Sequence, residues 1–354
     1  FTSLLPRDHG CARFYTPLDP GLVTLAERLH ERGWATGAVV ANPHVGAKGM
    51  HFDQGFDHVE ADTSVPDEKL VDAALAFLDA RRGQPAFLYV HAMSPHAPYL
   101  PPPPFDGRFP PFPGPGRLAA RPSEWTPADR DWIVGQYDGA IAYADQQFGR
   151  FVRALRGRGL YDRATIVFLA DHGEEFLDHG EWQHGLSLFD ELVRVPLVLK
   201  LPGRREAGRR VARQVQLVDV LPTILKVHGI PLPPAIEGRP LDESFGASGR
   251  PERPAVLETS YFERVAYGAR TREAKYVRRF HPDAAELFFD LPRDPGERRA
   301  RDAGTSAPVR ALKAAAESSL SSGAHHRLRV DGAGAYDLRL RTTGFFEIVE
   351  RASA

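Results

Sequence analysis

Eight side chains able to hold a cation or move a proton crowd into one short stretch: Asp171, His172, Glu174, Glu175, Asp178, His179, Glu181 and His184. Asp171 offers a hard oxygen and His172 an imidazole nitrogen. Adjacent ligands of these two kinds suit a divalent cation that draws its remaining ligands from elsewhere in the chain. The tripeptide Asp171-His172-Gly173 also has a plainer reading, in which Asp171 caps a helix and His172 is a surface histidine. The flanks bear on the choice. Residues 164–170 are apolar and β-branched without alternation, the pattern of a strand buried on both faces, and residues 195–201 repeat it. A buried strand that ends in Asp-His-Gly places a carboxylate and an imidazole at its carboxyl end, where open α/β sheets bind ligands. Gly173 lets the backbone turn away there.

The elements that must position these groups alternate along the chain. Residues 22–32 carry Leu22, Leu25, Ala26 and Leu29 at helical spacing, and residues 35–41 read as a buried strand. Residues 67–82 predict a second helix and 86–90 a second strand, with His91 and His96 at its carboxyl end, on the same edge as Asp171. Thr126 as N-cap and Pro127 at the first helical position open a long helix whose apolar stripe runs from Ile133 to Leu155. That helix leads into the strand before Asp171. Helix-to-strand repetition of this kind specifies an α/β fold with a sheet flanked by helices on both faces. Between His96 and Thr126, residues 97–123 are rich in proline and glycine without apolar period, and their place predicts a wall of the pocket. Short strand-like runs across 254–291 predict a small antiparallel C-terminal sheet. A short helix is expected near 309–318 and β-hairpin material after it, with His325 and His326 in a loop.

Composition narrows the class. In 354 residues, 45 basic side chains face 46 acidic ones, so nothing marks nucleic acid as a partner. Cys11 is the only cysteine, which excludes an internal disulfide. No apolar run reaches the roughly 20 residues of a membrane span. Oligomeric state and localisation are not legible.

Several stretches together resemble the sulfatase family of the alkaline phosphatase superfamily. ADHGEEF, QHGLSLFDE and LVRVPLVLKLPG follow the order of that family's metal motif, VHAMSPHAPYLPP resembles its segment around a substrate-contacting histidine, and ELFFDLPRDPGE resembles its C-terminal end. The resemblance covers about residues 1–303. It implies an alkaline phosphatase-like sheet, Asp171 and His172 as ligands of one divalent metal, with Ca²⁺ favoured over Mn²⁺, Mg²⁺ or Zn²⁺, and His96 and His184 as substrate contacts or general acid. His179 falls at a less constrained position of the family and takes no role. The opening FTSLLPRDHG resembles the segment that follows the family nucleophile, so the nucleophile is expected upstream of Phe1. Thr2 and Ser3 then lie in the helix after it, and the chain on its own is expected to have little or no turnover. Where some members carry GKWH, this chain has Asn42-Pro43-His44, with Lys48 nearby.

The resemblance divides the chain into a catalytic domain, 1–236, an antiparallel subdomain, 237–303, and a linker with the start of a β-rich extension, 304–354. The function it implies is metal-dependent hydrolysis of a sulfate ester, on a small-molecule or glycan substrate. Two alternatives stand beside it. One is a phosphodiesterase, phosphonate monoester hydrolase or phosphoethanolamine-type transferase on the same scaffold, and the other is a noncatalytic binding module, which need not bind metal.

Overall fold

The computed structural model describes residues 1–352 except 12–14, 110–121, 242–251, 262–263, 282, 305, 322–324, 331–334 and 342–345. Two helices, α1 (Pro6–His9) and α2 (Leu25–His30), precede β1 (Ala35–Val40). Thr24 and Glu27 close a capping box, which starts α2 at Leu25 where hydrophobic period alone predicts residue 22. After β1 come α3 (Pro43–Gly46), β2 (His58–Ala61), α4 (Asp67–Ala80) and β3 (Ala86–His91). The three strands run parallel in the order β2-β1-β3. Phe87 packs with α2 and its neighbour Leu88 with α4, so the two helices cover opposite faces of the sheet.

The 31-residue α5 (Pro127–Gly157) is capped by Thr126 with Asp129, as its sequence predicts. It leads to β4 (Ile166–Leu169). Two short strands, β5 (Glu175–Phe176) and β6 (Trp182–Gln183), pair antiparallel, followed by α6 (Asp190–Val193) and β7 (Leu197–Lys200). β7 pairs antiparallel with β4. Helix α7 (Val220–Val227) returns to lay Leu221 and Leu225 on Leu25 and Leu29. Among the described residues β3 and β4 each pair along one edge only. That explains one departure from expectation: β1 is buried throughout, but Phe168 is 40% exposed and Val198 59%, because a two-stranded ladder covers only part of its apolar surface.

The Pro-rich segment after His96 is seated on α5, with Tyr99 and Phe105 buried. Gly139 permits the close approach, since a Cβ there would stand 2.5 Å from the carbonyl oxygen of Phe105. Residues 110–121 of the expected pocket wall lie outside the described residues. The C-terminal sheet holds β8 (Ala255–Thr259), β9 (Val265–Arg270), β10 (Ala274–His281), β11 (Ala285–Asp290) and β12 (Arg301–Asp302), antiparallel in the order β12-β11-β10-β9-β8. Helix α8 (Ala307–Ser321) packs Val309, Leu312 and Ala316 with Ala269 and Tyr276 of this sheet. A last antiparallel sheet comprises β13 (His325–Val330), β14 (Ala335–Arg341) and β15 (Phe346–Ala352). His325 and His326, expected in a loop, begin β13. No helix among the described residues is long and apolar enough to cross a membrane.

Candidate active site

Beyond β4 the chain turns at Asp171-His172-Gly173 and lies against α6. Gly173 donates its N–H to Leu192 O at 2.8 Å, and a Cβ at Gly173 would stand 1.9 Å from Glu191 O. Only glycine allows that contact. The imidazole of His172 then closes on its own loop, Nδ1 lying 2.8 Å from Gly173 O. A carbonyl oxygen only accepts, so Nδ1 carries the proton and Nε2 keeps a lone pair for a ligand. Nε2 lies 3.8 Å from Asp171 Oδ1, and the Asp171 side chain is 60% exposed. This pair has the donor chemistry of two ligands to one divalent cation.

The other two histidines singled out in the sequence stand beside it. His184, directly after β6, stacks on His172 with ring centroids 3.9 Å apart, and His96, beyond β3, stands edge-on to His184 at 5.0 Å. Each repeats the hydrogen-bond pattern of His172. His96 Nδ1 lies 2.6 Å from Ala97 O, and His184 Nδ1 lies 2.8 Å from Glu174 Oε1. The structure thus stacks the rings of His96, His184 and His172 side by side, with Asp171 next to His172, although the strands before them belong to separate ladders rather than to one sheet edge as expected.

Four residues that sequence reasoning left without a role belong to the same neighbourhood. His91 accepts from or donates to Tyr89 Oη through Nδ1 at 2.9 Å. Burial lowers its pKa, while the charge of Asp171 pulls the other way. Burial and the charge of Asp171 together push the Tyr89 hydroxyl above the ordinary tyrosine range. His44, at the start of α3, is lowered by burial and then by the charge of His96, and Tyr15 stands edge-on to it at 4.8 Å. Glu174 is the fourth. Its side chain is 3% exposed, and its second oxygen, Oε2, accepts from Tyr99 Oη at 2.8 Å. A glutamate inside a run of acids gives no sign of burial, which is why the sequence names Glu174 among the candidate donors and gives it no role of its own. Ser3 is occupied elsewhere: it is buried, donates to Val218 O at 2.5 Å and accepts the N–H of Gly238.

A second group of donors lies close by. Among the described residues, Glu175, His179 and Glu191 are the one set of three such side chains whose ligand atoms fall within 4.8 Å of one another. Each of them already has protein partners. Glu175 is fully buried and takes the backbone N–H groups of His179 and Glu181 on Oε1. His179 Nδ1 lies 2.5 Å from Glu191 Oε1, and its Nε2 lies 3.1 and 3.2 Å from the carbonyl oxygens of Gly296 and Glu297. Both nitrogens of this imidazole thus face protein oxygens, which hold the ring in place. The cluster joins the turn at α6 to residues 296–297 and is structural.

A parallel sheet covered by helices on both faces, with an antiparallel sheet in the C-terminal part, is the alkaline phosphatase-like fold. The chain belongs to the sulfatase family: the Sulfatase family model matches residues 1–230, and the model for the C-terminal part of N-sulphoglucosamine sulphohydrolase matches residues 178–314. Arylsulfatase K of Bos taurus is 31% identical over 174 residues, and an arylsulfatase of Clostridium perfringens is 29% identical over 165. Each match covers 46% of this chain and only about a third of the relative's own length, 32% and 34%. Solved structures share the fold. Phosphonate monoester hydrolase of Agrobacterium radiobacter superposes with a TM-score of 0.71 at 22% identity, covering 91% of this chain and 84% of its own. A protein solved with its substrate, D-glucosamine-2-N,6-O-disulfate, gives 0.71 at 18% identity, with 90% and 86% covered. Family membership implies a divalent metal.

Proposed function

We propose that this chain carries the metal- and substrate-holding part of a sulfate ester hydrolase site. The observation that supports the reading most is the shared pattern at His96, His172 and His184, each with Nδ1 tied to an acceptor and Nε2 left to a ligand. Asp171 and His172 would hold the divalent ion, which by family likeness is Ca²⁺. When bound, such an ion neutralises nonbridging oxygens and helps to activate a nucleophile.

The remaining chemistry rests on His96 and His184. In ester hydrolysis an attacking oxygen bonds to sulfur while the bond from sulfur to the departing oxygen breaks, and that oxygen takes a proton. A doubly protonated imidazole whose Nδ1–H is tied to an acceptor donates from Nε2. It is left as the Nδ1–H tautomer that its hydrogen bond already favours, so the proton leaves without reorienting the ring. General acid catalysis of this kind contributes about 100- to 10,000-fold. A sulfated sugar is the proposed substrate, after the family relatives.

The test is an assay of the native gene product on an aryl sulfate, a sulfated glucosamine and an aryl phosphonate monoester, with metal analysis of the purified protein. Sulfate ester turnover that is lost with a chelator and restored by Ca²⁺ supports the reading. Faster turnover of the phosphonate overturns it in favour of a phosphonate monoester hydrolase, and a metal-free protein inert on all three overturns it in favour of a binding module.

A further inference from the structure

We infer that Glu174 and Tyr99 are positioning residues for His184, and that the seating of the proline-rich segment on α5 and the tautomer of His184 are coupled through them. The inference rests on the reading that His184 serves the reaction, and it concerns two side chains to which that reading gives no part. Glu174 is buried, and both of its oxygens are committed: Oε1 to His184 Nδ1 and Oε2 to Tyr99 Oη, each at 2.8 Å. A carboxylate only accepts when ionised, so His184 must present Nδ1–H and Tyr99 must present O–H. Burial, followed by the charge of Glu174, pushes the Tyr99 hydroxyl above the ordinary tyrosine range, so that the donor keeps its proton. The three groups form a chain from phenol through carboxylate to imidazole.

Tyr99 is itself fixed. Its ring stands edge-on to Tyr137 of α5 at 5.5 Å and to Trp182 of β6 at 5.7 Å, and leans on Phe176 of β5 at 5.6 Å. It therefore brings together the segment after His96, helix α5 and the β5–β6 ladder that carries His184. A neutral imidazole in water divides between its two tautomers; this arrangement selects the one whose Nε2 accepts from, or when protonated donates to, whatever lies beside His96 and His172. Glu174 does not stand next to the site as a second acid. It acts on a substrate through His184.

The tautomer is read directly from ring ¹³C and ¹⁵N shifts of histidine-labelled protein, with His184→Gln supplying the assignment, and this needs no turnover. Wild type should show neutral His184 as the Nδ1–H form, and Glu174→Gln, whose single oxygen cannot accept from both Nδ1–H and the Tyr99 O–H, should shift it towards the Nε2–H form as its amide donates to Nδ1. Glu174→Met, close to Glu in volume, should show a mixture, and Tyr99→Phe a smaller departure in the same direction. In the native gene product, kcat on an aryl sulfate should fall about 10- to 100-fold in Glu174→Met with little change in KM, and across wild type, Glu174→Gln, Glu174→Met and Tyr99→Phe it should follow the Nδ1–H fraction of His184. A wild-type His184 found as the Nε2–H form, or a tautomer unchanged in folded Glu174→Met, overturns the inference. If Glu174→Met does not fold, the wild-type spectrum still decides. If the tautomer follows Glu174 but His184→Gln turns over normally, the proposed role of His184 has failed and the positioning stands.

Discussion

Two glutamate–histidine pairs lie a few residues apart, and they do different things with the same chemistry. His184 faces Glu174 at 2.8 Å and His179 faces Glu191 at 2.5 Å, each through Nδ1. What separates them is the other nitrogen. His179 gives Nε2 to two backbone carbonyls of the C-terminal part and lies flat on Phe189, ring centroids 3.5 Å apart. His184 gives Nε2 to no described residue and sits among His96 and His172. A carboxylate beside an imidazole therefore does not by itself mark a working group; under the proposed function the working group is the one with a nitrogen left for a ligand.

Removing each ring should break the pairs in different currencies. In the native gene product His184→Ala should lose about 100- to 10,000-fold in kcat on an aryl sulfate while its thermal midpoint stays close to that of wild type. A full-rate His184→Ala would erase the distinction from the working side. Metal affinity gives the next contrast. Asp171→Asn should weaken binding by more than the roughly 10- to 100-fold that outer-shell changes cost, whereas Glu191→Gln, at the cluster of closely spaced donors, should leave stoichiometry by metal analysis unchanged. Metal lost with Glu191→Gln and kept with Asp171→Asn would exchange the two assignments.

His179→Ala is the mirror experiment. It leaves Glu191 and two backbone carbonyls without their donor, a loss of about 2–4 kcal/mol that urea unfolding should report. The working side should keep its metal. Equal loss of metal and stability would mean that the two pairs form one unit.

The sequence carried the architecture wherever one local rule ruled alone. Thr126-Pro127 opened α5 as its capping chemistry requires, and the unbroken apolar run at 35–41 became a fully buried strand. The run at 164–170 looked the same and became a partly exposed strand, because burial of a strand depends on its neighbours across the sheet, which a local pattern does not encode. The candidate site shows the same divide. Asp171 and His172 could be proposed because an acid and an imidazole at a strand end are local features, and His96 and His184 because their segments resemble the family. Glu174 was hidden among acids whose burial only the fold determines, and Tyr99 comes to it from a segment 75 positions away in the chain. His91 reads as a strand-end histidine until Asp171 is set beside it.

The smallest effect belongs to the structural side and should appear in acid. Asp190 opens α6, next to Glu191, and lies 2.8 and 2.6 Å from two nitrogens of Arg270 and 2.7 Å from Lys275 Nζ. Burial alone would raise its pKa, but these cations more than reverse that and hold the carboxyl at about 2, against 3.8 for an ordinary Asp. A depressed folded pKa means that the unfolded chain takes up the proton first. The stabilisation is present above pH 3.8 and is lost as pH falls towards 2, by about 2 kcal/mol in all. Glu297, which shares Lys275 at 2.6 Å, runs the other way: burial raises it above 4.5, so its contribution is complete below that pH and declines as pH rises. The two windows do not overlap. Urea midpoints measured from pH 5 to pH 2 should therefore fall in wild type and fall less in Arg270→Met, which weakens the hold on Asp190, while the ring shifts of His184 over the same series should not follow that difference. If they do, the clamped pair and the working pair respond as one, and the contrast between them is a matter of geometry without independent energetics.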